Sequence, residues 1–184
     1  MVRLRFVRAF VAFVFSLVVF AQSEPAHAAG GGEVVSVTFN PLRLFVPVFE
    51  AAAEVRLMPA LGVAGIGGIG SVKIQGAHFT VTEVGGQIVA YPLGDFRSLQ
   101  LGGEVLWLHI NGNKADISAA AAGIAVGPFV GYKLITRGGF TFSVQGGGQY
   151  VIAQAQATDA QGNSATGSAS GFGLLLNLNF GWSF

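Results

Sequence analysis

The residues FGLLLNLNFGWSF, at positions 172–184, decide the fold. Every second position carries Phe, Leu or Trp, and the positions between them carry Gly, Asn or Ser, with Leu175 as the exception. Side chains of a β-strand point alternately to the two faces of a sheet, whereas a helix would spread Asn177, Asn179 and Ser183 around its surface. The stretch therefore predicts a strand with one bulky apolar face and one small or polar face.

The same period of two recurs along the chain and predicts an all-β protein of eight strands. The alternation is clear in residues 34–40, 48–57, 99–109 and 139–150, and weaker near 61–70, 85–93 and 120–134, where glycine blurs the register of the first two. Short breaks at 58–60, 94–98 and 135–138 alternate with longer polar stretches near 71–84, 110–119 and 154–170. We expect the long stretches to be loops, as at the outer end of an outer-membrane barrel.

The composition excludes several classes of protein. Only 10% of the 184 residues are charged, against roughly 25% in an ordinary soluble domain, which disfavours an aqueous enzyme. A formal net charge of +1, with no Lys/Arg cluster beyond Arg8, argues against a nucleic-acid partner. The absence of Cys rules out a disulfide scaffold, a thiolate metal site and a Cys nucleophile.

The first 28 residues have the pattern of a secretory signal peptide. Arg3, Arg5 and Arg8 precede an apolar run over residues 9–21, and Ala26-His27-Ala28 provides a small-x-small cleavage site. The run is shorter than the ~20 residues that a transmembrane helix needs. We therefore expect cleavage after Ala28, which divides the chain into a signal peptide, 1–28, and a barrel domain, 29–184.

Side-chain volume predicts which face of each strand points outward. Eight strands enclose only enough room for side chains, and the polar faces carry mostly small or uncharged residues. The rings and leucines would then point outward into lipid, where an open sheet edge is not tolerated. The prediction is an eight-stranded antiparallel up-and-down transmembrane β-barrel, preceded by the cleaved signal peptide, in the outer membrane of a Gram-negative bacterium.

Residues 34–184 resemble the small OmpA/OmpX-type outer-membrane barrels, most specifically in the C-terminal strand that ends NFGWSF. The stretches YPLGDF, 91–96, and LGGE, 101–104, also look like small barrel proteins of uncharacterised families. The resemblance implies that Phe180, Trp182 and Phe184 are the signal read by the barrel-assembly machinery. It further implies outer-membrane lipids as partners and a monomeric protein.

The charged residues on the polar faces are candidates for a site. Glu50, Glu54, Arg56 and Glu104 share this position, with Lys133 as a further partner. They could hold a cation or perform acid–base chemistry, but no nucleophile lies at a fixed spacing beside them. Because buried charges must be paired, we interpret them as a structural polar network in the interior. We expect ring residues near strand ends to form an aromatic belt: Tyr91, Trp107, Tyr132, Tyr150, Phe180 and Trp182.

Other motifs have structural interpretations. GIGGIG, 65–70, matches a dinucleotide-binding pattern, but no helix follows it, so a glycine-softened strand is favoured. Gly123, Gly127 and Gly131 have the spacing of a helix-packing face, but period two favours a strand. His78 and His109 lack an evident serine partner or a third metal ligand. We predict no catalytic residue, metal or cofactor.

These observations favour an integral outer-membrane barrel with a structural or surface-interaction role that is not an open pore. Two alternatives remain open: a barrel enzyme that acts on membrane lipid, such as a lipid A hydrolase or acyltransferase, and a soluble secreted β-barrel that binds an apolar ligand. The second alternative requires the aromatic faces to point inward.

Overall fold

The computed structural model describes residues 32–74, 77–114, 117–158, 161 and 163–184. The expected signal peptide, with Ala26 and Ala28, lies outside this part of the chain. The described strands are β1 Val35–Phe39, β2 Val48–Met58, β3 Leu61–Ile74, β4 Ala77–Ala90, β5 Leu99–Lys114, β6 Ile117–Ile135, β7 Phe140–Thr158 and β8 Ser164–Ser183, and a short 3-10 helix, η1, spans Pro41–Phe45. No helix among the described residues is long and apolar enough to cross a membrane.

The eight strands form one closed antiparallel barrel in which each strand pairs with its sequence neighbours. The barrel closes where β1 pairs with β8, from Ser36 opposite Ser183 to Phe39 opposite Phe180. The connections β2–β3, β4–β5 and β6–β7 lie at the same end as Phe184, which we call the terminal end; the opposite end is the distal end. The predicted eight-stranded up-and-down barrel is therefore confirmed.

The prediction of long loops at the distal end is wrong, because most of these residues belong to strands. Strand β3 continues to Ile74 and β4 begins at Ala77. In the same way, β5 continues to Lys114 and β6 begins at Ile117. Strands β7 and β8 are 19 and 20 residues long. Small and β-branched polar residues can continue a ladder as readily as form a loop, so polarity alone misplaced these ends. We call this extension the crown; it comprises residues 77–82, 108–114, 117–123, 153–158 and 164–171.

Bulky apolar side chains face outward around the barrel. Phe49, Val105 and Val130 are each half exposed, and Leu176 and Trp182 are 50% exposed. The residues beside them in sequence point inward and are buried, including Glu50, Glu104 and Asn177. The outward apolar and inward polar arrangement expected from the alternation is therefore present in the folded chain.

The expectation that rings are excluded from the interior is wrong for three buried rings of the described chain. Tyr91 and Phe96 are fully buried at the terminal end, and Phe129 is almost fully buried on the inner face of β6. They form an apolar cluster with Val89, Ile135 and Leu175. The inward positions do not all have similar space, because glycines on neighbouring strands leave room for these rings.

Gly102 shows how that room is made. A Cβ atom on Gly102 would collide with Cζ of Phe129 and would lie 2.5 Å from the backbone oxygen of Ile88. A Cβ atom on Gly62 would likewise collide with the carboxyl group of Glu54, and one on Gly68 would collide with the carboxyl group of Glu83. Inward glycines therefore provide the volume that the large interior side chains occupy.

We expect Gly102→Ala to lower the free energy of unfolding by about 1–3 kcal/mol, because the ring of Phe129 or the backbone of Ile88 must move. Gly103→Ala is the matched control, since its Cβ would meet only an oxygen of Gly127 at 3.9 Å; its effect should stay within about 0.5 kcal/mol. Urea unfolding of the refolded protein in detergent micelles measures both changes. Equal effects of the two variants would contradict this account of the interior.

Candidate functional site

The interior of the barrel is a continuous polar network, which begins near the terminal end around Lys133. Its ammonium group lies 2.6 Å from a carboxylate oxygen of Glu54 and 3.2 Å from the hydroxyl of Tyr91. Tyr91 follows the end of β4, and its hydroxyl donates to Glu54. Burial and the nearby Glu54 raise the pKa of the Tyr91 phenol, so the hydroxyl keeps its proton and remains a donor.

Lys133 is also held by rings from the terminal end. Its ammonium group lies 3.7 Å from the ring centroid of Phe96, within the range of a cation–π interaction. Phe96 belongs to the β4–β5 connection and packs against Tyr91, with 5.2 Å between the ring centroids. The connection thus folds back into the barrel and covers the buried ion pair.

Amide side chains continue the network through the middle of the barrel. Gln100 donates to the Tyr91 hydroxyl over 3.1 Å and accepts a hydrogen bond of 3.2 Å from Gln145. Gln87 donates to Glu104 over 2.7 Å, and Asn177 donates to the same carboxylate over 3.0 Å. Glu104 is therefore stabilised by two amide donors.

The distal part of the network is built around η1. Arg43 in η1 points inward, and its guanidinium lies 2.9 Å from Glu50 and 3.8 Å from Glu83. Asn40 donates from its side-chain amide to Glu50 over 2.9 Å and to Asn177 over 3.2 Å. This asparagine joins the distal ion pair to the amide layer, and its side-chain oxygen also accepts from the backbone of Leu42 at the start of η1.

The structure brings four of the five expected network residues into the interior: Glu50, Glu54, Glu104 and Lys133 are buried. Arg56 is half-buried, and its guanidinium carbon lies 5.6 Å from the ring centroid of Phe96. Other members of the network were not predicted. Gln145 and Asn177 lie on faces predicted to be polar, and Tyr91 was expected in the outer belt. Glu83 falls in a stretch predicted to be a loop, and Arg43 lies between the predicted strands 34–40 and 48–57.

The network leaves little space in the barrel. A cavity of about 20 Å³ lies among inward side chains that include Ser36, Gln145, Lys133 and Asn179. This volume accommodates about one water molecule. The Ser36 hydroxyl is buried without a protein partner, so it is a suitable ligand for such a water. At the level of this cavity, the arrangement can hold one small molecule and no larger substrate.

The two histidines of the described chain are on the outer face of the barrel. His78 is exposed on β4. The ring of His109 stacks on Trp107 with 5.5 Å between centroids, and its Nδ1 has no hydrogen-bond partner. A general base needs a partner that orients it, which His109 lacks at that atom. Among the described residues, no group of three His, Cys, Asp or Glu side chains is placed to bind a metal ion.

Aromatic residues form a second feature, on the outer surface. At the terminal end, Phe140 packs edge-on against Trp182 with 5.4 Å between centroids, and Phe180 packs against Phe142 at 5.1 Å. Phe184 is 64% exposed. Of the expected belt residues, Trp107, Tyr132, Tyr150 and Trp182 are outward and exposed, while Phe180 is only partly exposed. The prediction that Tyr91 belongs to the belt is wrong, because its side chain points into the barrel.

Comparison with known protein-family models finds no match, and comparison with curated proteins finds none either. Among solved structures, the chain is similar to the crystal structure of a major outer membrane protein from Thermus thermophilus. The identity is 11%, the TM-score is 0.48, and the alignment covers 82% of this chain and 99% of that one. At this identity and score, the likeness transfers no role and no binding site to this chain.

We expect Lys133→Met to lower the free energy of unfolding by about 3–5 kcal/mol, because Glu54 would be left as a buried carboxylate without its cation. The double variant Lys133→Met with Glu54→Leu should recover most of this loss. Lys73→Met, at an exposed position, is the control and should change stability by no more than about 0.5 kcal/mol. Urea unfolding in micelles tests all three, and a Lys133 variant as stable as the Lys73 variant would contradict the ion pair's importance.

Proposed function

We propose that this protein is an integral outer-membrane β-barrel with a structural or surface-interaction role, closed to the passage of solutes. The observation that carries the proposal is the distribution of polarity: bulky apolar side chains cover the outside, and hydrogen-bonded charges fill the inside. In water this distribution would expose the apolar belt and bury the groups that water solvates best. In a bilayer each group is in its favoured surroundings.

The soluble alternative is disfavoured by the same observation. A soluble ligand-binding barrel needs its apolar face inside, whereas the interior of this barrel is lined by Glu54, Gln87, Gln145 and Asn177. The apolar belt includes Phe49 at 56% exposure and Leu176 at 50%. An exposed apolar surface that continues around a whole barrel is typical of contact with lipid.

The closed interior supports a role other than a general pore. The side chains of the network bond to each other across the barrel, as Lys133 does with Glu54 and Asn177 with Asn40. Eight strands leave no water-wide channel once side chains occupy the interior. The Phe96 ring at the terminal end and η1 at the distal end cover the network on both sides.

The crown supports interaction at the cell surface. In an outer-membrane orientation with the chain termini in the periplasm, the crown projects from the outer leaflet. Its outward residues on β7 and β8 are polar and exposed, including Gln154, Gln156, Thr166 and Ser168. The terminal end would face the periplasm, and Phe180, Trp182 and Phe184 remain the proposed signal for the barrel-assembly machinery.

We expect the protein to pellet with the outer-membrane fraction, to require detergent for extraction, and to migrate faster on SDS gels before boiling than after. A closed barrel resists SDS until it is heated, whereas an unfolded chain does not. Sucrose-gradient fractionation and gel migration measure this. Recovery in the soluble periplasm without detergent would favour the soluble alternative instead.

We expect no large, stable conductance in planar lipid bilayers, because the interior cavity of about 20 Å³ holds only about one water molecule. Single-channel recording of the purified protein measures it. A general porin recorded under the same conditions serves as the positive control. Steady open steps of porin size would contradict the closed interior.

A further inference from the structure

The two faces of the sheet exchange their polarity in the crown. Below the crown, Gln145 and Asn177 point inward while Val144 and Leu178 point outward. Within it, Gln154 and Ser168 point outward, and their neighbours Ala153 and Ala169 lie on the inner face. The inner face of the crown continues through Phe79 and Ile110 on β4 and β5. Where side chains are described, this inner face carries apolar residues and no charge.

The barrel wall is incomplete beside this apolar surface. The ladder between β1 and β8 ends at Phe39 and Phe180, so residues 164–179 of β8 extend beyond it. On the other side, β2 begins at Val48, opposite Gly70, and the end of β3 also extends beyond its partner. Among the described residues, η1 with its flanking residues is the element between these two strand ends. The inner face of the crown is therefore open to the side.

The border of this opening is apolar. Phe172 on β8 is 91% exposed, and Leu174 is 76% exposed. Phe45 of η1 is 87% exposed on the opposite side. These residues are continuous with the outward apolar belt, through Leu176 on β8 and Phe49 on β2. An apolar surface thus leads from the belt, past the border, toward the inner face of the crown.

An apolar cluster lies where the inner face of the crown meets the interior of the barrel. Ile66, Leu106 and Ala125 form a buried cluster, and Leu108 and Val151 pack against it. Leu108 and Val151 are only partly buried. The polar network borders this cluster: Glu83 pairs with Leu108 in the β4–β5 ladder, and Arg43 bonds to Glu50 and lies 3.8 Å from Glu83.

We propose that this side opening is a binding site for the acyl chain of a neighbouring outer-leaflet lipid, which enters between η1 and β8 and lies against Leu108, Val151 and Ala153. The proposal rests on the proposed function, since it needs the belt to be in lipid. An acyl chain matches the uncharged inner face, and the belt is the surface from which such a chain would come. Covering this apolar area removes it from water, which is favourable.

Positions 153 and 154 on β7 test the proposal, because their side chains point to opposite faces of the sheet at nearly the same distance from the terminal end. Trp107 and Trp182 are the only native tryptophans. We would replace both by Phe and introduce Ala153→Trp on the inner face or Gln154→Trp on the outer face. A third protein keeps Trp182 alone and reports on insertion of the barrel. Each is refolded into phosphatidylcholine vesicles with or without bromine midway along the acyl chains, since bromine quenches nearby tryptophan.

We expect brominated lipid to quench the Ala153→Trp protein to an extent similar to Trp182 and to leave the Gln154→Trp protein unquenched. If neither introduced tryptophan is quenched while Trp182 is, acyl chains do not reach the inner face and the inference is overturned. If both are quenched, the crown lies within the hydrocarbon, which also overturns it. An unquenched Trp182 would instead show that the barrel is not inserted, so that the proposed function itself fails.

Gel migration before and after boiling checks that each variant has folded. Ala155→Trp, one step further along the inner face and opposite Gly167, replaces Ala153→Trp if that variant does not refold. Its matched outer control is Gln156→Trp, and the same outcomes support or overturn the inference.

Discussion

The limited cross-section of an eight-stranded barrel is the constraint on which the rest of this structure depends. The interior must be filled, because voids forfeit packing contacts, yet each large side chain needs space from a neighbour. The ring of Phe129 lies over Gly102, and the carboxyl groups of Glu54 and Glu83 lie over Gly62 and Gly68. High glycine content is therefore a condition for packing in this chain, and it is also what weakens the alternation by which its strands are recognised.

Filling the interior with polar groups brings a second requirement, since each buried charge needs a partner. Glu54 has Lys133, Glu50 has Arg43, and Glu104 has the amides of Gln87 and Asn177. The network connects strands that are far apart in sequence, so it holds the barrel's shape as well as satisfying its charges. An interior bonded in this way leaves little freedom for a moving substrate.

The fold was predictable because, below the crown, the outer faces of the strands carry apolar residues. The alternation in 172–184 and 139–150 assigned inside and outside, and the number of strands followed. Strand ends were not predictable: Ala153–Thr158 and Ser164–Ser170 lack bulky residues, so nothing in their polarity separates a loop from a ladder. Members of the polar network were predictable only where a charged residue lies in a stretch with clear alternation, as Glu54 and Glu104 do. Arg43 and Tyr91 depend on chain segments that fold back into the barrel, which no local pattern reveals.

The seam between β1 and β8 has a consequence for the order of assembly. Phe39 and Phe180 are 141 positions apart in the chain, whereas the other ladders join adjacent hairpin strands. Contacts of such long range carry the largest loop-closure entropy and form late in folding. A curved sheet of β1–β8, with the edges of β1 and β8 unpaired, then precedes closure, and the pairing of the five-residue β1 with β8 removes both open edges.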